Sequence, residues 1–334
     1  MFNNQTIFIS GGTGSFGNQF IKKLIKSYKP KKIIIYSRDE YKQFLMKEKF
    51  PAYKYPFFRF FLGDVRDLDR LKTAMNGVDY VVHAAALKQV PAAEYNPMEF
   101  VKTNINGAEN IIQAAIHQKV KKIMALSTDK AANPINLYGA TKLASDKIFM
   151  AANNIVGSQK TIFSVVRYGN VAGSRGSVIP YFKELINNNK KYLPITHEDM
   201  TRFWITLDQA IDFVFMSFKN MVGGEIFVPK IPSVKILDLA KAMAPNLKTK
   251  IVGIRPGEKI HELMCPNEYH HLTLEFKNYF KIIPSPDNND SKKNFLIDKT
   301  GEKGKKVKSN FEYSSGSNSN FLSIDQINKI NETL

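Results

Sequence analysis

The chain has 334 residues, enough for one large domain or two smaller ones, and its 43% hydrophobic and 23% charged residues belong to a folded protein, which excludes global disorder. No apolar stretch approaches the roughly 18 residues of a membrane span, and a single cysteine, Cys265, excludes an intrachain disulfide. The net charge of +18 comes from scattered lysines without zinc-finger spacing or an arginine-rich arm, so nucleic acid is not the expected partner; the excess favours an anionic substrate.

The opening MFNNQTIFISGG runs directly into a strand and a glycine turn, without the segments of a signal peptide, and a cytoplasmic location is expected. QTIFISG predicts a short buried strand, and NQFIKKLIKSY shows helical spacing. KKIIIYSR, FRFFLGD, VDYVVHAAA, KKIMALST and KTIFSVVRYGN predict five further strands. Between them DEYKQFLMKEKF, LDRLKTAMN, a longer stretch over 97–118 and YGATKLASDKIFMAANN predict helices. This alternation predicts an α/β fold: a Rossmann-type doubly wound parallel sheet with helices on both faces. Beyond residue 170 the rhythm loosens. SVIPYFKELINNN, DQAIDFVFMSFKNM and KILDLAKAMAP read as helices and GEIFVPK as a strand. KIVGIRPGEKIHELM reads as a strand, a tight turn and another helix. We place a dinucleotide-binding domain at 1–170 and a mainly substrate-binding lobe at 171–334, with some of its segments returning to the first domain.

GGTGSFG, residues 11–17, lies between the first strand and helix, the context that gives a glycine pattern meaning. Gly11 permits the tight turn, Gly14 lets a pyrophosphate approach, and Gly17 allows close packing of helix on strand. Thr13, Ser15 and Phe16 complete the expected cofactor-binding loop, and the helix N-terminus offers its amides to phosphates. After the second strand come Ser37, Arg38 and, further on, Lys42. Arg38 suits a 2′-phosphate, so NADP is expected over NAD, with Asp39 and Glu40 as the opposing consideration. Asp64 is placed for the adenine amino group and Val65 against the ring. The small Ala84, Ala85 and Ala86 allow close approach to the backbone, and Lys88 points toward the cleft.

STDKAANPINLYGATK, residues 127–142, carries the chemistry. Tyr138 and Lys142 are four apart on a helix and share a face. A cationic Lys142 would lower the phenol pKa and hold the nicotinamide ribose, and Thr128 would orient an alcohol that Tyr138 deprotonates. Oxidation and reduction need no more than these three, yet Asp129 and Lys130 stand beside them. In an extended segment they would point to different sides.

GGTGSFG, GDVRD, HAAALK, STDKAANPINLYGATK, RYGNVAGSRGSVIP and IRPGEK together resemble the extended short-chain dehydrogenase/reductase family. Within it they are most similar to the nucleotide-sugar 4,6-dehydratases, and among those to the soluble bacterial branch that acts on UDP-N-acetylglucosamine and inverts C5 ahead of pseudaminic acid synthesis. The resemblance implies a tightly bound NADP regenerated in each cycle, oxidation at C4, loss of water across C5 and C6, and reduction at C6. It implies that Asp129 protonates the C6 hydroxyl and Lys130 takes the C5 proton. Many sugar dehydratases have Asp-Glu here. An adjacent Asp and Lys prefer to be ionised, the reverse of what these roles require. The resemblance also implies a homo-oligomer, a dimer or larger closed assembly, and an aminotransferase using pyridoxal phosphate as the pathway neighbour, linked to flagellin glycosylation.

On the substrate side, Asn170, Arg175, Arg202, Arg255 and Glu258 are expected to bind, together with Lys88. The arginine forks suit diphosphate oxygens and Glu258 suits the uridine ribose. Trp204 reads as lobe packing, His83 as structural, and His270 and His271 lack metal-ligand partners, so no metal is expected. The alternatives left open are a dehydratase that retains C5 configuration and a UDP-sugar 4-epimerase, which needs no acid–base pair.

Overall fold

The computed structural model describes residues 1–174, 176–285 and 294–333. Six β-branched and aromatic runs form β1 (Thr6–Ser10), β2 (Lys32–Ser37), β3 (Phe58–Leu62), β4 (Tyr80–His83), β5 (Lys122–Thr128) and β6 (Ile162–Tyr168). The second half adds β7 (Asn170–Val171), β8 (Tyr192–Ile195), β9 (Thr201–Ile205), β10 (Ile226–Pro229), β11 (Ser233–Lys235) and β12 (Lys248–Ile251). β13 (Leu263–Cys265), β14 (Thr273–Glu275), β15 (Tyr279–Ile282), β16 (Lys305–Lys306) and β17 (Tyr313–Ser314) follow. Among the described residues the main sheet has ten strands, in the order β16-β14-β15-β10-β6-β5-β4-β1-β2-β3. The run from β3 to β10 is parallel, and β15, β14 and β16 extend it antiparallel. All five residues of β1 are buried, as expected of a strand covered on both faces. Four strands of the second half thus join the sheet of the first.

The helices are α1 (Ser15–Ser27), α2 (Glu40–Lys49), α3 (Leu68–Ala74), α4 (Val90–Tyr95), α5 (Pro97–Phe100), α6 (Gly107–His117), α7 (Leu137–Ala151), α8 (Val178–Asn187), α9 (Leu207–Asn220), α10 (Ile236–Met243) and α11 (Ile324–Glu332). α9 lies against α1, fastened by Lys23 to Asp212 at 2.6 Å and Gln19 to Asp208 at 2.8 Å. None of the described helices is long and apolar enough to cross a membrane.

Two expectations are corrected. The single helix expected over 97–118 is broken, because a π-helical turn, Val101–Asn106, separates α5 from α6. The wider turn coincides with a demand on Asn104, which is buried: its amide holds both the N–H and the carbonyl of Leu87, at 2.9 and 3.0 Å, and donates to Thr141 on α7 at 3.1 Å. The helix expected after IRPGEK is not formed either. That segment is extended as β13 and pairs with β17, and Ser315 clasps Glu262 through two 2.8 Å bonds.

The smaller lobe packs two apolar clusters of its own. One gathers Trp204, Val234, Leu239 and Ile327, and the other Phe182, Leu193, Ile195 and Ile236. Trp204 is therefore lobe packing. α11 brings Ile327 into the first cluster, which gives the chain end a structural role.

Gly17 faces Gly12 so closely that a Cβ would overlap its backbone. Gly17→Ala should therefore lower folding stability by about 1–3 kcal/mol, the usual cost of overpacking, read as a reduced urea midpoint at unchanged m-value.

Candidate active site

One cleft at the carboxyl ends of β1, β2, β3 and β4 gathers Gly11, Thr13, Gly14, Ser37, Arg38, Lys42, Asp64, Val65, Ala84, Ala85 and Ala86. Tyr36, Asp39, Gly63 and Thr103 line it as well. Gly11 has φ +67°, and a Cβ there would lie 2.9 Å from the Ala85 nitrogen, so the loop reaches the β4 turn only as glycine. α1 follows Gly14 as its N-cap, without a side-chain cap bond and without an acid in its first turn, which leaves its amides available to an anion. Asn18, not anticipated from the sequence, ties the loop by donating to the carbonyls of Thr13 and Gly14, both at 3.0 Å. Gly17 is buried against Gly12, and Phe16 stacks on Phe20. These residues fit the diphosphate of a dinucleotide.

The charged rim of the cleft is partly self-paired. Asp39 caps α2, accepting from the Lys42 N–H at 2.9 Å, and its carboxylate pairs with the Lys42 ammonium at 2.5 Å. Asp64 binds Arg66 at 2.7 Å and lies 3.5 Å from Arg38, whose side chain is 52% exposed. Despite burial, its arginine neighbours hold the Asp64 carboxyl below the usual carboxylate range. Arg66 continues to Glu99 at 2.7 Å, ahead of the π-helical turn.

The candidate catalytic residues meet at the end of β5 and the start of α7. Asp129–Ala131 is one 3-10 turn, capped by Thr128. The extended geometry expected for residues 129 and 130 is therefore corrected: tight winding brings their side chains together. Thr128 donates to Asp129 Oδ1 at 2.8 Å, and Lys130 Nζ donates to the same oxygen at 3.2 Å. The Thr128 hydroxyl also neighbours the phenol of Tyr138 and acts to lower its pKa. Gly139 makes this possible, because any Cβ there would overlap the Lys130 carbonyl and push the turn off α7.

Lys142 is placed differently from expectation. Its ammonium is buried and donates to the Leu126 carbonyl at 2.8 Å, and burial pulls its pKa down. Burial pushes the Tyr138 phenol up to about 12, and the cation opposing it is Lys130, together with the Thr128 hydroxyl. α7 is anchored below by a buried trio in which Asp146 accepts from Ser127 at 2.7 Å and from Arg167 at 3.0 Å. His83 is buried and bonds Ser10 at 2.8 Å, and burial lowers its pKa to about 3, so it is a neutral structural group. Cys265 is buried, and burial raises its thiol to about 12.

The residue that the sequence reading missed is Glu262, 2% exposed, whose Oε1 lies 2.9 Å from Lys130 Nζ and 3.6 Å from Arg202 Nε. Nothing local marks it, since IHELM reads as a helix and only the pairing of β13 turns this acid inward. Burial would raise the Glu262 pKa, but Lys130 and Arg202 outweigh it and hold it low. Asp129, 1% exposed, is raised by burial, opposed by Lys130 and reinforced by Glu262. Burial pulls the Lys130 ammonium down, but Asp129 and Glu262 outweigh it and keep it cationic.

Of the expected substrate residues, Arg202 is drawn into this cluster. It is buried, donates to the carbonyls of Thr201 and Ile260 at 2.7 and 3.1 Å, and is not an open fork. Arg255 is 66% exposed, with Glu258 at 3.6 Å. Their loop is tied to the catalytic segment by Asn136 donating to the Gly257 carbonyl at 2.7 Å and Lys259 to that of Ala132 at 2.6 Å. Asn170 Oδ1 is buried without a hydrogen-bond partner among the described residues. Lys88 is exposed just after the pinned Leu87. Arg175 lies outside the described residues.

Residues 7–284 match the polysaccharide biosynthesis protein family. The chain belongs to this family. Its fold is that of the extended short-chain dehydrogenase/reductases. Within reach of this polysaccharide biosynthesis family member is the UDP-N-acetylglucosamine 4,6-dehydratase (inverting) of Campylobacter jejuni serotype O:2, 60% identical over 95% of this chain and 94% of that one. The UDP-glucose 4-epimerase of Rickettsia bellii is 45% identical over 84% of each chain. The X-ray structure of Pen from Bacillus thuringiensis has a TM-score of 0.87 at 37% identity, covering 100% of this chain and 99% of that one.

Because burial raises Asp129, its carboxyl should stay protonated to a higher pH than an ordinary aspartate. Infrared difference spectra across a pH titration should then show a protonated carboxyl band that outlasts those of the exposed aspartates and disappears in Asp129→Asn.

Proposed function

We propose that this chain is a UDP-N-acetylglucosamine 4,6-dehydratase that inverts C5. The observation that carries this reading is the contact of Asp129 with Lys130, at 3.2 Å, beside Thr128 and Tyr138. The name and 60% identity of the Campylobacter relative support it.

A nicotinamide dinucleotide fits the glycine cleft, held by the amides at the start of α1, by Val65 and by the β4 turn; when bound, it supplies reversible hydride storage, so the sugar leaves with no net oxidation. Thr128 orients the C4 hydroxyl and Tyr138 takes its proton. The ketone formed at C4 acidifies the proton on C5. Asp129, whose burial favours the protonated form, gives a proton to the C6 hydroxyl, which leaves as water. Lys130, the member of the cluster most open to solvent, receives the C5 proton. A solvent-derived proton delivered to C5 from the opposite face then sets the inverted configuration, and the proton that Tyr138 took from the C4 hydroxyl returns to solvent. Arg255 and Glu258 take the nucleotide, and Asn170, with its unpartnered oxygen, takes the sugar or diphosphate.

For the cofactor we infer NADP. Asp39 is engaged as the α2 cap and by Lys42, which competes with a ribose hydroxyl for its carboxylate, while Arg38 stands exposed at the rim. The epimerase reading draws on the Rickettsia relative, but a buried proton donor beside an ammonium has no task in epimerisation at C4.

Incubation with UDP-N-acetylglucosamine in deuterated water, followed by NMR, should give a 6-deoxy-4-keto sugar, deuterated and inverted at C5; a simple C4 epimer would refute the assignment. Asp129→Asn and Lys130→Ala should each lose water elimination by at least about 10²-fold while still binding the nucleotide. Arg38→Ala should weaken NADP by roughly 10-fold or more and leave NAD within about twofold, measured by calorimetry; equal loss of both would point to NAD.

A further inference from the structure

The chemistry assigned to Asp129 and Lys130 leaves one proton without a destination. Lys130 is held as an ammonium, and an ammonium has no lone pair with which to receive the C5 proton. To receive one proton it must release another as it does so. Its donors are directed at two buried carboxylates, Asp129 Oδ1 at 3.2 Å and Glu262 Oε1 at 2.9 Å. Asp129 is the group that must arrive protonated, so it cannot take this proton. Glu262 is the remaining acceptor, and its second oxygen, Oε2, is buried with no hydrogen-bond partner among the described residues.

We propose that Glu262 is a positioning residue for water elimination, the terminal proton acceptor that lets Lys130 act at C5. As the C5–H bond breaks, the Lys130 amine gains that proton and passes one of its own to Glu262 Oε1. The electron pair of the C5–H bond becomes the C5–C6 double bond, and the C6–O bond breaks as Asp129 protonates the hydroxyl. The cluster begins as Asp129 protonated, Lys130 cationic and Glu262 ionised. It ends as Asp129 ionised, Lys130 cationic and Glu262 protonated, with unchanged total charge. Lys130 touches both carboxylates, so the same ammonium returns the proton from Glu262 to Asp129 before the next turnover.

The surroundings separate the two carboxylates in the sense required. Glu262 faces Lys130, Arg202 and Lys259, three cations, which favour its ionised form. Asp129 faces Lys130, Glu262 and the Thr128 hydroxyl and is raised by burial. Lys130 faces Arg202 and Tyr138 besides the two acids, and Arg202 also lies 4.0 Å from Glu258. Two titratable groups whose surroundings push them apart mark an acid and a base. The backbone of Glu262 is fixed by Ser315, which also bonds Thr201, itself bonded to His261.

This inference rests on the dehydratase reading above, and its test separates the two. Stopped-flow absorbance of the reduced nicotinamide reports C4 oxidation, and NMR reports water loss, both measured across pH with NADP-loaded enzyme. Glu262→Gln should lose water elimination by about 10²-fold and keep C4 oxidation within about threefold. Its residual elimination should lack the acid limb of the parent profile. Glu262→Asp, which restores a carboxylate, should recover that limb even where its rate is lower, and it guards against a Gln variant that folds poorly. If Glu262→Gln keeps the acid limb, or slows both steps equally, Glu262 serves only to pack Lys130 and the proposal fails. If the parent protein gives a C4 epimer and no water loss, the dehydratase reading itself fails; if Asp129→Asn still eliminates water at the parental rate, only the acid role of Asp129 fails.

Discussion

An ammonium enclosed between two carboxylates organises this protein. Removing the Lys130 charge from water carries a penalty of several kcal/mol, which a single neighbouring acid with imperfect geometry does not reliably offset. Asp129 alone, 3.2 Å away and sharing its Oδ1 with Thr128, is such a neighbour. Glu262 at 2.9 Å supplies the rest, and Arg202 balances the second carboxylate in turn. The result is a buried cluster in which Lys130 and Arg202 flank Glu262 and Asp129 lies on the far side of Lys130, its members drawn from the turn after β5, from β9 and from the segment leading into β13. None of the three segments completes the cluster without the other two.

This dependence explains why the second half of the chain does not form a separable lid. β10, β14, β15 and β16 widen the sheet begun by β1 through β6. The loop bearing Arg255 and Glu258 is fastened to the catalytic turn through Asn136 and Lys259. The last forty residues, with no chemistry of their own, contribute Ser315 to hold Glu262 and Tyr313 to hold Ile231, both at short range. On the proposed reading, substrate binding by the lobe and proton transfer at the turn after β5 are therefore mechanically coupled. A shift in the lobe would move Glu262 relative to Lys130, and proton transfer is steeply sensitive to such distances.

What could be read from the sequence follows how local each feature is. β1, the glycine loop and α1 were legible because strand, turn and helix each bear their own signal within 22 residues, and Gly11, Gly14 and Gly17 have spacing that only close approach explains. Tyr138 and Lys142 were legible as neighbours on one helical face, but where the lysine points was not. It bonds Leu126, and the cation nearest in effect to the phenol is Lys130. Residues 129 and 130 read as extended because they follow a strand; the 3-10 turn depends on Gly139, ten residues on, letting α7 close against it. The continuous helix over 97–118 has good helical spacing throughout. What opens it is the commitment of Asn104 to Leu87 and Thr141, partners that periodicity does not register. Glu262 and Arg202 were the least legible, since an inward-facing charge looks like a surface charge until its partner, 60 or 130 residues away, is in place.

The same reasoning bears on why an Asp-Lys pair can stand where many sugar dehydratases carry Asp-Glu. A carboxylate in the second position is a base as it stands. An ammonium there is not, and the chain must provide a base behind it. Glu262 sits in that place, and its net charge with Lys130 is zero, where a lone glutamate would be −1. On the proposed reading, setting the carboxylate behind the lysine keeps a cation on the side that faces the sugar ring. That cation can stabilise the negative charge that builds on the C4 oxygen as the C5 proton leaves, and its N–H groups can also give a proton, which a carboxylate in its ionised form cannot. Inversion at C5 requires a proton donor as well as an acceptor. On the proposed reading a lysine backed by a glutamate takes the C5 proton without a change in the total charge of the buried site, which leaves the opposite face of C5 free for the proton that inverts it.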